Sequence, residues 1–231
     1  VSTATAGKKV LVWGGQTYNE YVTLTNSGTS SSPITFKRDP ASVEAVLNGN
    51  GINQAVIKSA AAGYIIIDGF KLTNAKFGVQ LSNVACTGWI IRNCRVTANT
   101  NNGIEIANGD NNMLFNNAIY LNSSSNNGVD ITADALNNEV IRCSIYGQRM
   151  GVYAGSGGTI NVRDCIIANN TTYGLAAGLW TRNVGRAHRV AAKLKSGVVW
   201  VNTYDLFSPN VPFGGFKQSG YGRDNSFSAI E

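Results

Sequence analysis

One histidine, four prolines and a charged fraction of only 14% stand in a chain of 231 residues. Each scarcity excludes something. The histidine, His188, lies between Arg186 and Arg189, so no His-dependent catalytic triad is expected unless that segment docks against the rest of the chain. Four prolines beside 26 glycines mark a turn-rich composition rather than a disordered one. No apolar run approaches the roughly 20 residues of a membrane helix. No signal-peptide pattern opens the chain, and Val1 without a preceding methionine reads as a processed or truncated end. The four cysteines, Cys86, Cys94, Cys143 and Cys165, are not spaced as zinc ligands are. Neither half carries a dense basic run with interleaved aromatics, so neither nucleic acid nor membrane is an expected partner.

What replaces charge is asparagine, with 24 in residues 1–172 and 4 in the remainder. Five short segments then share one pattern: Phe77-Gly78-Val79-Gln80-Leu81, Asn102-Gly103-Ile104-Glu105-Ile106, Asn127-Gly128-Val129-Asp130-Ile131, Met150-Gly151-Val152-Tyr153-Ala154 and Tyr173-Gly174-Leu175-Ala176-Ala177. Their glycines recur at steps of 25, 25, 23 and 23 residues. A period near 24 is the mark of a stacked repeat, in which one coil cannot bury its own apolar face. Apolar pairs two residues apart lie on either side of each corner. The upstream pairs are Phe70 and Leu72, Cys94 and Val96, Ile119 and Leu121, Cys143 and Ile145, and Cys165 and Ile167. The downstream pairs run from Val79 and Leu81 to Leu175 and Ala177. Period two indicates half-buried strands. A further strand opens most coils, as at Tyr64-Ile65-Ile66-Ile67 and Trp89-Ile90-Ile91. Three short strands per coil predict a mainly β fold, a right-handed parallel β-helix over residues 1–172.

Outward residues between the downstream pairs form a column of Gln80, Glu105, Asp130, Tyr153 and Ala176. Glu105 and Asp130 fall on adjacent coils about 4.8 Å apart. Two such carboxylates could share a proton, bind a cation, or perform acid/base work on a sugar. Tyr153 and Gln80 would contact the sugar, and a polysaccharide is the expected partner. A solvated polar face is the alternative. Asp110 and Asp134 lie in comparable turns and could add ligands for Ca²⁺, or serve only turn geometry. Cys94, Cys143 and Cys165 share an inward column as small core residues, and a disulfide between Cys143 and Cys165 is possible but not required.

The run Val10-Leu11-Val12-Trp13-Gly14-Gly15-Gln16-Thr17-Tyr18-Asn19-Glu20-Tyr21-Val22-Thr23-Leu24, with Ser32-Pro33-Ile34-Thr35-Phe36-Lys37 and Val46-Leu47-Asn48-Gly49, resembles the opening of secreted β-helix proteins of the pectate-lyase-like superfamily. The resemblance implies an extracellular or cell-surface location. It leaves activity open, because that superfamily holds lyases, hydrolases, epimerases and non-catalytic binding proteins. A lyase would need a basic residue beside a uronate, for which Arg92, Arg142 and Arg163 are candidates. The chain reads as starting inside the usual first coil, its amino-terminal cap absent.

Beyond residue 168 the chain changes character. Asn183 caps a helix candidate with a stripe of Ala187, Val190, Ala191 and Leu194, and Gly197 stands as its stop. Val198-Val199-Trp200-Val201-Asn202 is a buried strand candidate, followed by Pro212-Phe213-Gly214-Gly215-Phe216-Lys217-Gln218-Ser219-Gly220. This run resembles the C-terminal part of the NAD(P)-dependent aldehyde dehydrogenase family, typically cytoplasmic. The resemblance implies that Asp205, Phe207 and Phe213 match aldehyde-channel positions and that Asn202 supports the nucleophile's loop. The family's dinucleotide-binding domain, nucleophilic cysteine and general-base glutamate have no matching motif here, so NAD is not expected to bind. Residues 173–231 are thus expected to form a short α/β fragment of aldehyde dehydrogenase type, catalytically incomplete. The chain reads as a chimera joined at a stretch both families share, by recombination or mis-assembly of fragments. Apolar residues shaped for an absent domain favour exposed patches and self-association. Three function classes stand: a binding or structural β-helix module, a polysaccharide lyase or related enzyme, and an inactive dehydrogenase fragment.

Overall fold

The computed structural model describes residues 3–59, 61–132, 134–168, 175–203, 206, 208, 210–220 and 222–224. Seven coils follow one another. The first contains β1 (Lys9–Val12), β2 (Thr17–Tyr18) and β3 (Val22–Leu24), the second β4 (Ile34–Arg38) and the long β5 (Ala45–Ser59), and the third β6 (Ile65–Asp68) and β7 (Phe70–Leu81). Three separate strands per coil return in the fourth, β8 (Ile90–Arg92), β9 (Arg95–Thr97) and β10 (Ile104–Ile106), and the fifth, β11 (Met113–Phe115), β12 (Ala118–Tyr120) and β13 (Asn127–Ile131). The sixth coil has β14 (Asn138–Ile141), β15 (Ser144–Tyr146) and β16 (Met150–Ala154), and the seventh β17 (Ile160–Arg163) and β18 (Ile166–Ala168).

Pairing between coils is parallel throughout, which sorts the strands into three faces. The first face is β1-β4-β6-β8-β11-β14-β17. The second runs through the first parts of β5 and β7 to β9, β12, β15 and β18. The third runs from β3 through the later parts of β5 and β7 to β10, β13 and β16. Equivalent side chains stand on one another inside. The first face contributes Phe36, Ile67, Ile91, Leu114 and Val140; the second Leu47, Leu72, Val96, Ile119 and Ile145; the third Ile57, Val79, Ile104 and Val129. All are buried, and each such side chain contributes roughly 1.5–3 kcal/mol through the water it sheds. The end coils are less covered: Val10, Val152, Val162 and Ile167 are only half-buried.

The corners explain the asparagines in two ways. Asn93, Asn116 and Asn137 hold the left-handed backbone that turns one strand into the next. Asn99, Asn112, Asn117 and Asn138 instead point inward, and with Asn102 and Asn127 they are buried. Their amides satisfy backbone groups that the bends leave unpaired: the Cys94 N–H donates to Asn117 Oδ1 at 2.9 Å, and Asn117 Nδ2 donates to the Ile91 carbonyl at 2.8 Å. The recurrent glycines have a different cause. A Cβ at Gly103 would lie 2.6 Å from the Gly128 carbonyl oxygen and 2.7 Å from Ile119 Cγ2. At Gly128 it would lie 2.6 Å from Ile145 Cγ2. Neither glycine needs a left-handed backbone; both are required by close approach.

The structure corrects the sequence reading at several places. The upstream pair of the fifth coil is Asn117 and Ile119, since Ile119 is in register with Val96 and Ile145. Leu121 occupies a left-handed corner and is 62% exposed. Arg142 does not share the strand position of Arg92 and Arg163; it sits one residue on, at a left-handed corner. The coil register also stops before the fifth glycine segment. Tyr173 and Gly174 lie outside the described residues, and β19 (Ala176–Leu179) pairs antiparallel with β18, Ile166 opposite Leu179. Ala176 therefore does not continue the outward column, and Leu175 is exposed.

Helix α1 (Val184–Ala191) then leads to β20 (Val198–Val201), parallel to β19. Asn183 caps α1, its Oδ1 accepting from the Arg186 N–H at 2.8 Å. The helix ends at Ala191, short of Leu194, and Gly197 is not its stop. A Cβ there would overlap the Gly214 carbonyl, so Gly197 serves the packing of the last hairpin, β21 (Phe213–Gly214) with β22 (Arg223–Asp224). The tail thus adds two strands to the second face. It also leaves Val184 and Leu206 71% exposed. Gly103→Ala is expected to destabilise the chain by about 1–3 kcal/mol through overpacking. Asn161→Ala, on an exposed strand position, is the control and should fall within about 0.5 kcal/mol of the parent. Equal urea midpoints for the two variants would show that the glycine is dispensable.

Candidate functional site

The third face presents its outward residues in the register read from the sequence. Gln80, Glu105, Asp130 and Tyr153 are consecutive partners across β7, β10, β13 and β16. The column also extends the other way, through Lys58 on β5 and Thr23 on β3. Gln80 Nε2 donates to Glu105 Oε1 at 2.8 Å, and Asn102 Nδ2 lies 3.1 Å from both Glu105 Oε2 and Asp130 Oδ2. Asn127 Nδ2 donates to the same Asp130 oxygen at 2.7 Å. One amide thus ties the two carboxylates together while each stays half-exposed. Asp130 Oδ1 is shielded from water and has no hydrogen-bond partner among the described residues. Arg149 reaches Asn127 Oδ1 at 3.5 Å, and Lys58 Nζ donates to Gln54 at 3.0 Å, so cations flank the carboxylates at both ends. Tyr153 is 40% exposed beside Asp130.

Asn102, Asn127, Lys58 and Arg149 are the parts that pattern reading passes over. Asparagine directly before glycine in two successive repeats was the available signal for the first two. The Asn127 N–H also donates to Asn102 Oδ1 at 2.9 Å, so the pair is fixed by the backbone beneath it.

Arg92 does not join this site. It lies on the first face, with Nη2 3.0 Å from Asp68 Oδ2, and Lys37 Nζ is 3.8 Å from the same oxygen. Asp68 is itself nearly buried, so Arg92 neutralises a carboxylate rather than facing a ligand. Asp110 Oδ1 accepts from the Leu136 N–H at 2.7 Å, the turn role rather than a free ligand oxygen. Asp134 is exposed in a left-handed turn. Among the described residues no three His, Cys, Asp or Glu side chains converge as a metal set would. A separate outward stack lies on the second face, where the Tyr120 and Tyr146 rings are 5.2 Å apart and 8° from parallel. Arg95 Nη2 donates to the Tyr120 hydroxyl at 3.1 Å and Nη1 pairs with Glu44 at 2.8 Å. Tyrosine one residue after Ile119 and Ile145 was the signal for it.

All four cysteines are free and buried. Burial pushes the Cys94 thiol up to about 11, and its Sγ donates to the Arg92 carbonyl at 3.2 Å. Cys143 is raised too, by its thiol hydrogen bond with Cys165 and by burial. These are core thiols. In the tail, Asn202 clamps the Thr181 backbone, with Oδ1 2.8 Å from its N–H and Nδ2 2.9 Å from its carbonyl. Phe213 is half-buried in β21. Asp205 and Phe207 lie outside the described residues. β19, α1 and β20 form a strand–helix–strand unit, but Trp180, Thr181, Arg182 and Asn183 connect them with no glycine-rich turn. These residues do not fit a dinucleotide.

The family model "Right handed beta helix region" matches residues 18–185, and the model "Aldehyde dehydrogenase family" matches residues 162–231. The chain belongs to the right-handed β-helix family. Among solved structures it is similar to pectate lyase Pel9A, with a TM-score of 0.61 and 15% identity over 89% of this chain and 71% of that one. It is also similar to an alginate lyase from Paenibacillus sp. str. FPU-7, with a TM-score of 0.57 and 16% identity over 87% of this chain and 83% of that one. At such identity the likeness is one of fold. Its C-terminal part is similar to a betaine aldehyde dehydrogenase of Mesorhizobium japonicum, 47% identical over 93 residues, which are 39% of this chain and 18% of that protein. The chain spans a fifth or less of the length of the curated relatives it matches. The two family models overlap over residues 162–185, the stretch from the end of β17 through β18 and β19 to the start of α1. No helix among the described residues is long and apolar enough to cross a membrane.

A thiol whose proton is held up to about 11 stabilises the fold below the ordinary thiol range and loses that contribution as pH rises towards 11. The unfolding free energy is therefore expected to fall between about pH 9 and 11, by up to roughly 3 kcal/mol from this group. Cys94→Ala should show a shallower fall, measured by urea unfolding at stepped pH. Parallel pH profiles for the two proteins would contradict the assignment.

Proposed function

We propose that the chain is a non-catalytic β-helix module that binds a polysaccharide along the third face, outside the cell or at its surface. The observation that carries this reading is the tied column of Gln80, Glu105, Asn102, Asp130 and Asn127. It presents carboxylate and amide groups on three successive coils, with an exposed ring at Tyr153. Carboxylates and amides exchange hydrogen bonds with sugar hydroxyls, and a tyrosine ring offers an apolar face to the C–H side of a pyranose. The repeat of the coils gives a linear site, suited to a chain rather than a single sugar. The fold likeness to two polysaccharide lyases supports the ligand class by analogy alone.

A glycan array followed by calorimetry tests it. The parent chain should bind a polysaccharide, and Glu105→Ala with Asp130→Ala should weaken binding at least tenfold while circular dichroism stays unchanged. Equal binding by parent and variant, or none by either, would leave the column a solvated face. A lyase is the second reading, favoured by Lys58 standing in the same column as the carboxylates. It predicts release of an unsaturated uronate, seen by ultraviolet absorbance and lost in Lys58→Ala.

The tail is read as catalytically silent. The dehydrogenase reaction needs an accessible thiolate, whereas the four cysteines are buried in the solenoid. Incubation with NAD and betaine aldehyde is expected to yield no NADH. Turnover above the rate of a heat-denatured sample would overturn that reading.

A further inference from the structure

Where β19 turns back against β18, the solenoid and the tail enclose a groove of about 830 Å³. Neither half forms it alone. Four arginines line it: Arg142 and Arg163 from the solenoid, Arg182 and Arg186 from the tail. They come from four separate places in the chain: a left-handed corner, the end of β17, the loop before α1 and the first turn of α1. Among the described residues only Arg163 has a carboxylate within ion-pair distance, Glu139 at 3.7 Å. Asp164 is the single acidic residue in the lining. Arg142 lies over the ring of Phe115, another lining residue, 5.6 Å from its centre. The first turn of α1 carries no acidic residue, so the helix adds to the positive potential instead of offsetting it.

Like charges gathered in a concave, partly water-excluded space repel one another, and an anion of matching spacing relieves that repulsion. Guanidinium forks bind carboxylate and phosphate oxygens in pairs. The volume is far larger than one such group occupies. We propose that this groove binds a small ligand bearing two or more carboxylate or phosphate groups, and that the ligand locks the tail against the solenoid. The site is separate from the polar column on the third face and stands or falls independently of it.

The test is calorimetric titration of the full chain with tripolyphosphate and with citrate, at low and high salt. Binding of either probe, weakening as salt rises, is expected, and the preferred probe identifies the anion class. Arg182→Gln with Arg186→Gln should weaken it at least tenfold. Arg142→Gln, on the solenoid side, tests the same groove without touching the tail. Limited proteolysis with saturating probe should slow cleavage after Lys193 and Lys195, the loop that follows α1. Absence of binding by both probes would overturn the proposal. So would equal affinity in parent, Arg182→Gln/Arg186→Gln and Arg142→Gln proteins, which would assign the anion to another basic surface.

Discussion

Everything in this molecule depends on the distance between one coil and the next. Parallel strands paired through their backbones fix that distance at about 4.8 Å, and no side chain can alter it. A position that faces inward in one coil must therefore accept a neighbour of similar size directly above and below. The Gly103 and Gly128 sites show the constraint at its tightest, where even a methyl group meets the next coil's carbonyl oxygen. Elsewhere the same spacing works in favour of the fold. Ile67, Ile91, Leu114 and Val140 stack as one apolar row, each burying the next.

The corners answer a second demand of that geometry. A chain that bends three times per coil leaves peptide groups at each bend that no strand partner reaches. In a wide globular protein such groups would turn to water, but here several lie under the next coil. Asn117, Asn112 and Asn138 fill inward positions where a leucine would add apolar area but leave a donor or acceptor orphaned. An unpaired buried peptide group costs about 1–3 kcal/mol, comparable to what the leucine would contribute. An asparagine can therefore replace a leucine at these positions without a large net loss, and the abundance of that residue is a structural property before it is a functional one. At Asn102 and Asn127 the two roles coincide. Their backbones are locked by the ladder, and their amides project onto Glu105 and Asp130.

This dual use of asparagine explains what was legible in the sequence and what was not. The glycine period, the apolar pairs and the outward column were readable because each follows a strict alternation. The fifth coil was misread because Asn117 holds an inward place, and a search for apolar pairs slid on to Leu121, which a left-handed corner exposes. Arg142 likewise stands at a left-handed corner, off the strand position of Arg92 and Arg163, because corners do not obey period two. Glu105 and Asp130 were legible as neighbours, but the amides that join them were not, because an asparagine beside a turn glycine usually signals only the turn. Arg92 could be aligned by spacing, yet nothing in spacing reveals that nearly buried Asp68 already holds it.

The reversal at β19 could not have been foreseen from repeat logic. The fifth glycine segment has the right spacing and composition to form another coil, but spacing states only where a strand begins and not its direction. What decides direction is the sequence that follows. Running antiparallel along β18 sets Leu179 opposite Ile166, buries Leu179 completely, and brings β20 alongside with Trp200 buried. The exposed edge of the last solenoid strand is thereby covered, which removes a template for unwanted strand pairing. The same turn carries Arg182 and Arg186 towards Arg142 and Arg163. A charge cluster with no counterpart in either half is thus a direct consequence of how one strand edge is closed.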